Sequence, residues 1–188
     1  VKAFDTRPLV AEQVESLGGE FVSLETSHET ETAGGYAAEM SDDFYRNEQV
    51  IIGENISDCD VVITTAQIFG KRAPLLITEE MVKTMRHGSV IVDLAAEQGG
   101  NCELSIAGKT VERFGVKILA PTDLPSSLSY HSSEMYSRNV TALLSEIITD
   151  GALHLDMDDE VIANTMLTHE GKIMNQHVID LLEREKEA

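Results

Sequence analysis

The sequence predicts an α/β fold: a Rossmann-like, doubly wound parallel sheet, incomplete at its N-terminal edge, followed by a C-terminal hairpin and helix. Two observations carry this. First, β-branched runs alternate with stretches whose apolar residues recur at helical spacing, the signature of right-handed βαβ units. Second, three of those runs ("DVVITTA", "SVIVDLA" and "VKIL") end in loops rich in Gly, Pro, Asp, Gln or Asn. Ligands of parallel sheets bind at the carboxyl ends of the strands, where these loops lie.

The elements follow in order. "KAF" (Lys2 to Phe4) is a short strand ending at Asp5. Thr6 is placed to cap the next helix, with Pro8 in its first turn. Leu9, Val10, Gln13, Val14 and Leu17 keep helical spacing, and Gly18-Gly19 ends the helix. "EFVSL" (Glu20 to Leu24) is the second strand. "ETSHETETAGGYAAEM" (Glu25 to Met40) breaks the rhythm as a long loop, and loops of this length usually have a function. A helix is expected over residues 41–55, with Asp42 and Asp43 suited to its dipole. "DVVITTA" (Asp60 to Ala66) reads as a buried strand and "QIFGKRAP" as its exit loop. Thr78 caps "EEMVKTMRHG", which Gly88 is expected to terminate. "SVIVDLA" (Ser89 to Ala95) is another buried strand, with exit loop "AEQGGNCELS". "VKIL" (Val116 to Leu119) leads into "APTDLPSS". Ser132 or Ser133 is expected to cap a long helix reaching about Asp150. Beyond Gly151, "EVIANTMLTHEGKIM" alternates weakly around a hairpin turn at His169-Glu170-Gly171, and "HVIDLLEREKEA" is an amphipathic helical tail. The expected division is 1–150, a Rossmann-like domain, and 151–188, a hairpin and helical tail.

Composition limits the function classes. The chain of 188 residues has room for one good core and an appendage. With no Trp, that core rests on Val, Ile, Leu, Ala and Met. A formal net charge of -19, with 14 Lys and Arg, argues against a nucleic-acid partner, which needs clustered cations. Cys59 and Cys102 are not in a CxxC or Cys/His spacing and read as reduced thiols. No run of 18 apolar residues occurs. The six histidines are scattered, so no metal is expected, and no GxSxG elbow is present.

The remaining candidates sit at strand ends. Asp5 is where a dinucleotide fold keeps a carboxylate for the adenosine ribose; a residue that merely caps the next helix is the competing reading. Arg7 could instead take a 2′-phosphate. Gln67, Gly70, Lys71, Arg72 and Pro74 follow one strand, where the two cations could meet a pyrophosphate or form a solvated turn. Asp93, Glu97 and Asn101 follow the next. Glu97 could polarise a ribose or nicotinamide hydroxyl, and Asp93 could satisfy backbone amides. Gly99-Gly100 points to a close approach or a positive φ. Asp123 could accept from a carboxamide or serve a turn. No general acid–base pair stands out, and hydride transfer between two nicotinamides requires positioning and water exclusion rather than a protein proton donor.

The segments "DTRPLVAEQVESLGG", "ETAGGYAAEM", "DVVITTAQIFGKRAPLLITEEMV", "GSVIVDLAAEQGGNCELS" and "DLPSS" resemble the NAD(H)-binding domain I of the proton-translocating NAD(P) transhydrogenase alpha subunit, within the alanine dehydrogenase/transhydrogenase family. The resemblance spans roughly Val1 to Met174. It implies a bound NAD, with Asp5, Thr6 and Arg7 at the adenosine ribose. Gly35, Tyr36 and Met40 would belong to a loop closing over the nucleotide. Ala66 and Gln67 would line it, Leu94, Ala95 and Glu97 would approach the nicotinamide ribose, and Asp123 and Leu124 would stand near the nicotinamide. No residue of this chain is given a catalytic role. Asp123 stands where the family more often has Asn, and Phe69 where it usually has Pro. The resemblance further implies an NADP(H)-binding domain, a membrane domain and a homodimer as partners, a place at a membrane surface, and a first strand with its glycine-rich turn ahead of Val1. An alanine dehydrogenase-like soluble oxidoreductase and a non-catalytic nucleotide-binding or interaction module are the alternatives.

Overall fold

The computed structural model describes residues 1–7, 9–23, 42–68 and 70–187. They fall into two compact units, Val1–Leu124 and Pro125–Ala188. The boundary expected at residue 150 lies inside the second.

The first unit runs β1 (Lys2–Phe4), α1 (Val10–Ser16), β2 (Glu20–Val22), α2 (Asp42–Ile56), β3 (Val61–Thr64), α3 (Glu79–Thr84), β4 (Val90–Asp93), a 3₁₀ turn (Ala96–Gln98), β5 (Lys109–Arg113) and β6 (Val116–Ala120). β1 and β2 pair in parallel. A separate four-stranded sheet has the order β3-β4-β6-β5, parallel except for the edge strand β5. The expected parallel α/β architecture is therefore present.

The core is aliphatic. Ile56 of α2, Val82 of α3, Ile91 of β4, and Val116 and Ile118 of β6 pack with Leu76, Ile77, Met85 and Cys102, and Val62 and Ala66 lean against them. β-branched residues on parallel strands bury well against helices, so the sheet is held mainly by apolar burial. Burial raises the Cys102 thiol pKa, backbone and Ser105 hydrogen bonds oppose the rise only in part, and the Cys remains a small apolar filler.

Several expectations are corrected. Thr6 does not cap α1: the helix opens at Val10 behind Leu9, with no side-chain cap. Thr78 does cap α3, accepting from the Met81 N–H at 3.4 Å. Gly88 does not end α3, which stops after Thr84 as Met85 turns extended to enter the core. Gly88 instead donates its N–H to the Gly115 carbonyl at 2.7 Å, at the entry to β4. β3 is not buried throughout, since Val61 is 58% exposed and Ile63 63%. β5 is an addition to the expected elements. It pairs with β6 across Phe114 (φ 53°) and Gly115 (φ 76°), a two-residue hairpin turn that needs left-handed backbone at both positions. Only Val111 is half-buried in β5, so the strand carries almost no apolar signal. A Cβ on Gly115 would lie 2.8 Å from the His87 ring.

In the second unit, α5 spans Ser129–Ile147, opening ahead of the expected caps Ser132 and Ser133 and without a side-chain cap. A short helix, α4 (Leu124–Ser127), straddles the unit boundary. The hairpin β7 (Ile148–Thr149) with β8 (Ala152–Leu153) turns on Asp150-Gly151. The expected hairpin at His169 to Gly171 is present as β9 (Thr168–His169) and β10 (Lys172–Ile173). The weak alternation read ahead of it is instead α6 (Glu160–Thr165), capped by Asp159, whose Oδ1 accepts from the Val161 and Ile162 N–H groups. The tail forms α7 (Gln176–Glu187).

Candidate functional site

Strand register places Thr64, at the end of β3, directly opposite Asp93, at the end of β4. Asp93 is fully buried. Its Oδ1 accepts from Thr64 Oγ1 at 3.2 Å and from the Ala95 N–H at 3.1 Å. Its Oδ2 accepts from the N–H groups of Asn101 (2.9 Å) and Cys102 (3.0 Å) and from Ser105 Oγ (2.6 Å). Of the alternatives open for Asp93, satisfying backbone amides is the one adopted. These donors compensate the burial of an acceptor. Gly100 lets the loop pass this carboxylate: a Cβ there would lie 2.8 Å from Oδ2, and its φ is 79°.

Asn101 is the residue whose role was not anticipated. Fully buried, it accepts from the Ala66 N–H at 3.0 Å and donates to the carbonyls of Ala66 (2.9 Å) and Pro74 (2.8 Å). Its own carbonyl accepts from the Leu76 and Ile77 N–H groups. One side chain thus fastens the exit loops of β3 and β4 together. The sequence signal was an Asn directly after two glycines at a strand end.

On this ledge, Gln67 is exposed and donates from Nε2 to the Leu94 carbonyl at 3.2 Å, and its Oε1 accepts from Gln98 at 3.4 Å. Ala95 is fully buried with its N–H committed to Asp93, while Glu97 is exposed on the 3₁₀ turn. Asp123 and Leu124 follow β6 and are exposed.

A cavity of about 570 Å³ is lined by all of β1 and β3. Asp5, Thr6, Arg7, Ala66 and Gln67 meet there; Leu94 joins them only through Gln67, and Ala95, Glu97, Asp123 and Leu124 lie outside its lining. Gly35, Tyr36 and Met40 fall outside the described residues. Arg7 grips Asp5 in a fork: Nε donates to Oδ1 and Nη2 to Oδ2, each at 2.9 Å, and the Arg7 backbone N–H adds a third bond to Oδ1. Burial pulls the Asp5 carboxyl upward, but the hydrogen bonds and charge of Arg7 outweigh it and leave the pKa below the ordinary value. Asp5 is therefore an anion, and a carboxylate has about four acceptor positions, so three bonds leave it able to accept another.

Glu48 of α2 lines the same cavity. It is 2% exposed, and its Oε2 has no hydrogen-bond partner. Burial, with the Asp5 charge adding to it, pushes its pKa up to about 7. The sequence carried this signal too: Phe44, Glu48, Ile52 and Ile56 form an i, i+4 stripe on α2, with one acid among apolar residues. Among the described residues no group of three or more His, Cys, Asp or Glu is placed to hold a metal, and no helix is long and apolar enough to cross a membrane.

A parallel sheet whose polar side chains gather at the strand ends defines a Rossmann-like domain. The family described as "Alanine dehydrogenase/PNT, C-terminal domain" matches residues 1–176, and the chain belongs to it. The NAD(P) transhydrogenase subunit alpha of Cereibacter sphaeroides is 46% identical over 176 residues, covering 91% of this chain and 34% of that protein. The crystal structure of transhydrogenase from Sinorhizobium meliloti superposes with a TM-score of 0.71 at 38% identity, over 92% of this chain and 45% of the other. Alanine dehydrogenase 1 of Staphylococcus aureus is more distant, 30% identical over 129 residues that cover 66% of this chain. The chain thus spans about a third to a half of the transhydrogenase chains it matches.

Proposed function

We propose that this chain is the NAD(H)-binding part of a proton-translocating NAD(P) transhydrogenase, in which hydride passes between NAD(H) held here and NADP(H) held on another domain. The observation that carries the reading is Asp5, an ionised carboxylate at the carboxyl end of β1, facing a cavity it shares with Ala66 and Gln67 at the end of β3. Such a carboxylate accepts from the ribose hydroxyls of NAD and repels a 2′-phosphate. Arg7, whose fork already holds Asp5, is poorly placed to recruit that phosphate. The nucleotide supplies the redox chemistry when bound. The chain's residues bind and orient: Asp5, Thr6 and Arg7 at the adenosine end, Ala66 and Gln67 along the strand-end ledge, Leu94 and Glu97 toward the nicotinamide ribose with the buried Ala95 supporting the turn between them, and Asp123 and Leu124 toward the nicotinamide ring. The greater similarity to transhydrogenases than to alanine dehydrogenases favours this reading over a soluble amino-acid dehydrogenase.

The remaining partners follow from the same reading: a membrane domain that carries the proton path, a position at the membrane surface, and a homodimer. The test is nucleotide selectivity. NADH and NADPH are titrated separately against the polypeptide in which this chain occurs. Preference for NADH by tenfold or more supports the proposal, and equal or stronger binding of NADPH contradicts it.

A further inference from the structure

We propose that Glu48 is a further nucleotide-binding residue that acts as a neutral acid: its carboxyl donates an O–H to an oxygen of bound NAD(H), so that binding takes up a proton from solvent. The inference rests on the proposed function and deepens it, making the nucleotide site proton-linked.

Two carboxyls face one cavity, and their surroundings differ. Asp5 and Glu48 both line the space of about 570 Å³ beside β1 and β3. Asp5 receives three hydrogen bonds from Arg7, two of them from the guanidinium, and these fix it as an anion. Glu48 has no such help at Oε2. The residue is 2% exposed and this oxygen has no hydrogen-bond partner. When two carboxyls in one site are held so differently, one keeps the charge and the other the proton. Glu48 is the one that keeps the proton: its burial disfavours the anion, and the nearby Asp5 charge disfavours it further.

The charged groups around Glu48 do not reverse this. Among the described residues, the other ionisable groups lining the cavity are Lys2, Asp5, Arg7, Tyr45 and Cys59. Lys2 donates to Asn55 Oδ1 at 2.8 Å, and Arg7 is committed to Asp5. β3 contributes no charged side chain, and Lys71 and Arg72 in its exit loop are exposed. On α3, which packs on α2 in the core cluster, Lys83 pairs with Glu79 and Glu80. Arg46 of α2 is exposed.

The chemistry of the ligand matches this acid. A buried polar atom is normally satisfied, so the bare Oε2 marks the place of a missing partner. A neutral carboxyl supplies one O–H donor. A dinucleotide is rich in acceptors, on its pyrophosphate and its ribose rings. Its entry also excludes water and brings negative charge, and both effects favour the protonated carboxyl. The cavity thus offers the nucleotide one carboxyl that accepts, Asp5, and one that donates, Glu48.

The test is calorimetric titration of NADH into the polypeptide in which this chain occurs, at pH 7, in two buffers of different ionisation enthalpy. The expected result is uptake of about 0.3–0.5 proton per NADH bound. NADH affinity should also fall about tenfold between pH 6 and pH 8.5. Glu48→Gln, whose NH₂ donates without titrating, should keep the affinity seen at pH 6, abolish the uptake and flatten the profile. Glu48→Ala should weaken NADH about tenfold at pH 6 and flatten the profile as well. A residue with only a structural role would lower affinity at every pH in both variants and leave the proton uptake in place. No uptake by the unaltered protein, or release of a proton, overturns the inference, and this measurement stands whether or not the variants fold. A fall with pH that persists in Glu48→Gln overturns it too. NADH binding with a flat profile would sink the inference and leave the proposed function standing, whereas no NADH binding at any pH would contradict the proposed function and the inference with it.

Discussion

Asn101 brackets Ala66 with its carboxamide, accepting from the Ala66 N–H at 3.0 Å and donating to the Ala66 carbonyl at 2.9 Å. A side chain here does what a neighbouring strand would do two residues beyond the end of β3. It fixes the height at which Ala66 and Gln67 stand over the cavity.

Asn101→Ala leaves the Ala66 N–H and the carbonyls of Ala66 and Pro74 without these partners. The expected loss is about 3–4 kcal/mol of stability, read as a shift in the urea midpoint. Asn101→Asp, which keeps the acceptor and loses both donors, should lose nearly as much.

Asp93→Asn tests the second fastening. The new NH₂ would face the N–H groups of Asn101 and Cys102, donor against donor, or displace the Thr64 and Ala95 contacts if flipped. A loss of about 2–4 kcal/mol is expected. Gly100→Ala attacks the same contact from the backbone, and its positive φ together with the 2.8 Å approach to Asp93 Oδ2 should cost about 1–3 kcal/mol. Thermal unfolding measures both.

Glu48 sets a pH dependence. Its folded pKa, about 7, lies above its ordinary value of 4.5, so the folded state holds the proton more tightly. Stability should therefore be fully present below about 4.5 and fall as pH rises toward and through 7. The effect is at most about 3 kcal/mol. Glu48→Gln should flatten this part of the profile, measured as melting temperature from pH 4 to 8. An unflattened profile would assign the dependence to another group.

Much of the architecture was legible because period and punctuation agreed. "DVVIT" and "SVIVD" read as parallel strands, and Thr78 read as a cap, because each signal is local. β5 was not legible, because an edge strand with Val111 as its only half-buried apolar residue has no face to betray it. Thr6 was misplaced because its position matched a cap while α1 opens at Val10. At the site, strand ends were found; of the two fastenings, that of Asp93 was open as a reading and that of Asn101 was not read. Asn101 acts through a contact 35 residues away, which no local pattern records. The exposure of Val61 and Ile63 was hidden for the opposite reason: their run has the composition of a buried strand, and which of its faces is covered depends on topology.

The most direct measurement of the account is NADH affinity with and without the Asp5 charge, in the polypeptide in which the chain occurs. Asp5→Asn keeps the shape and removes the charge that Arg7 holds in place. Circular dichroism checks that the fold survives. Losing a charge-assisted acceptor for the ribose hydroxyls should weaken NADH by about 1.5–3 kcal/mol, roughly ten- to a hundredfold. A variant that binds NADH as tightly as the unaltered protein would contradict the placement of the nucleotide at β1, and with it the proposed function.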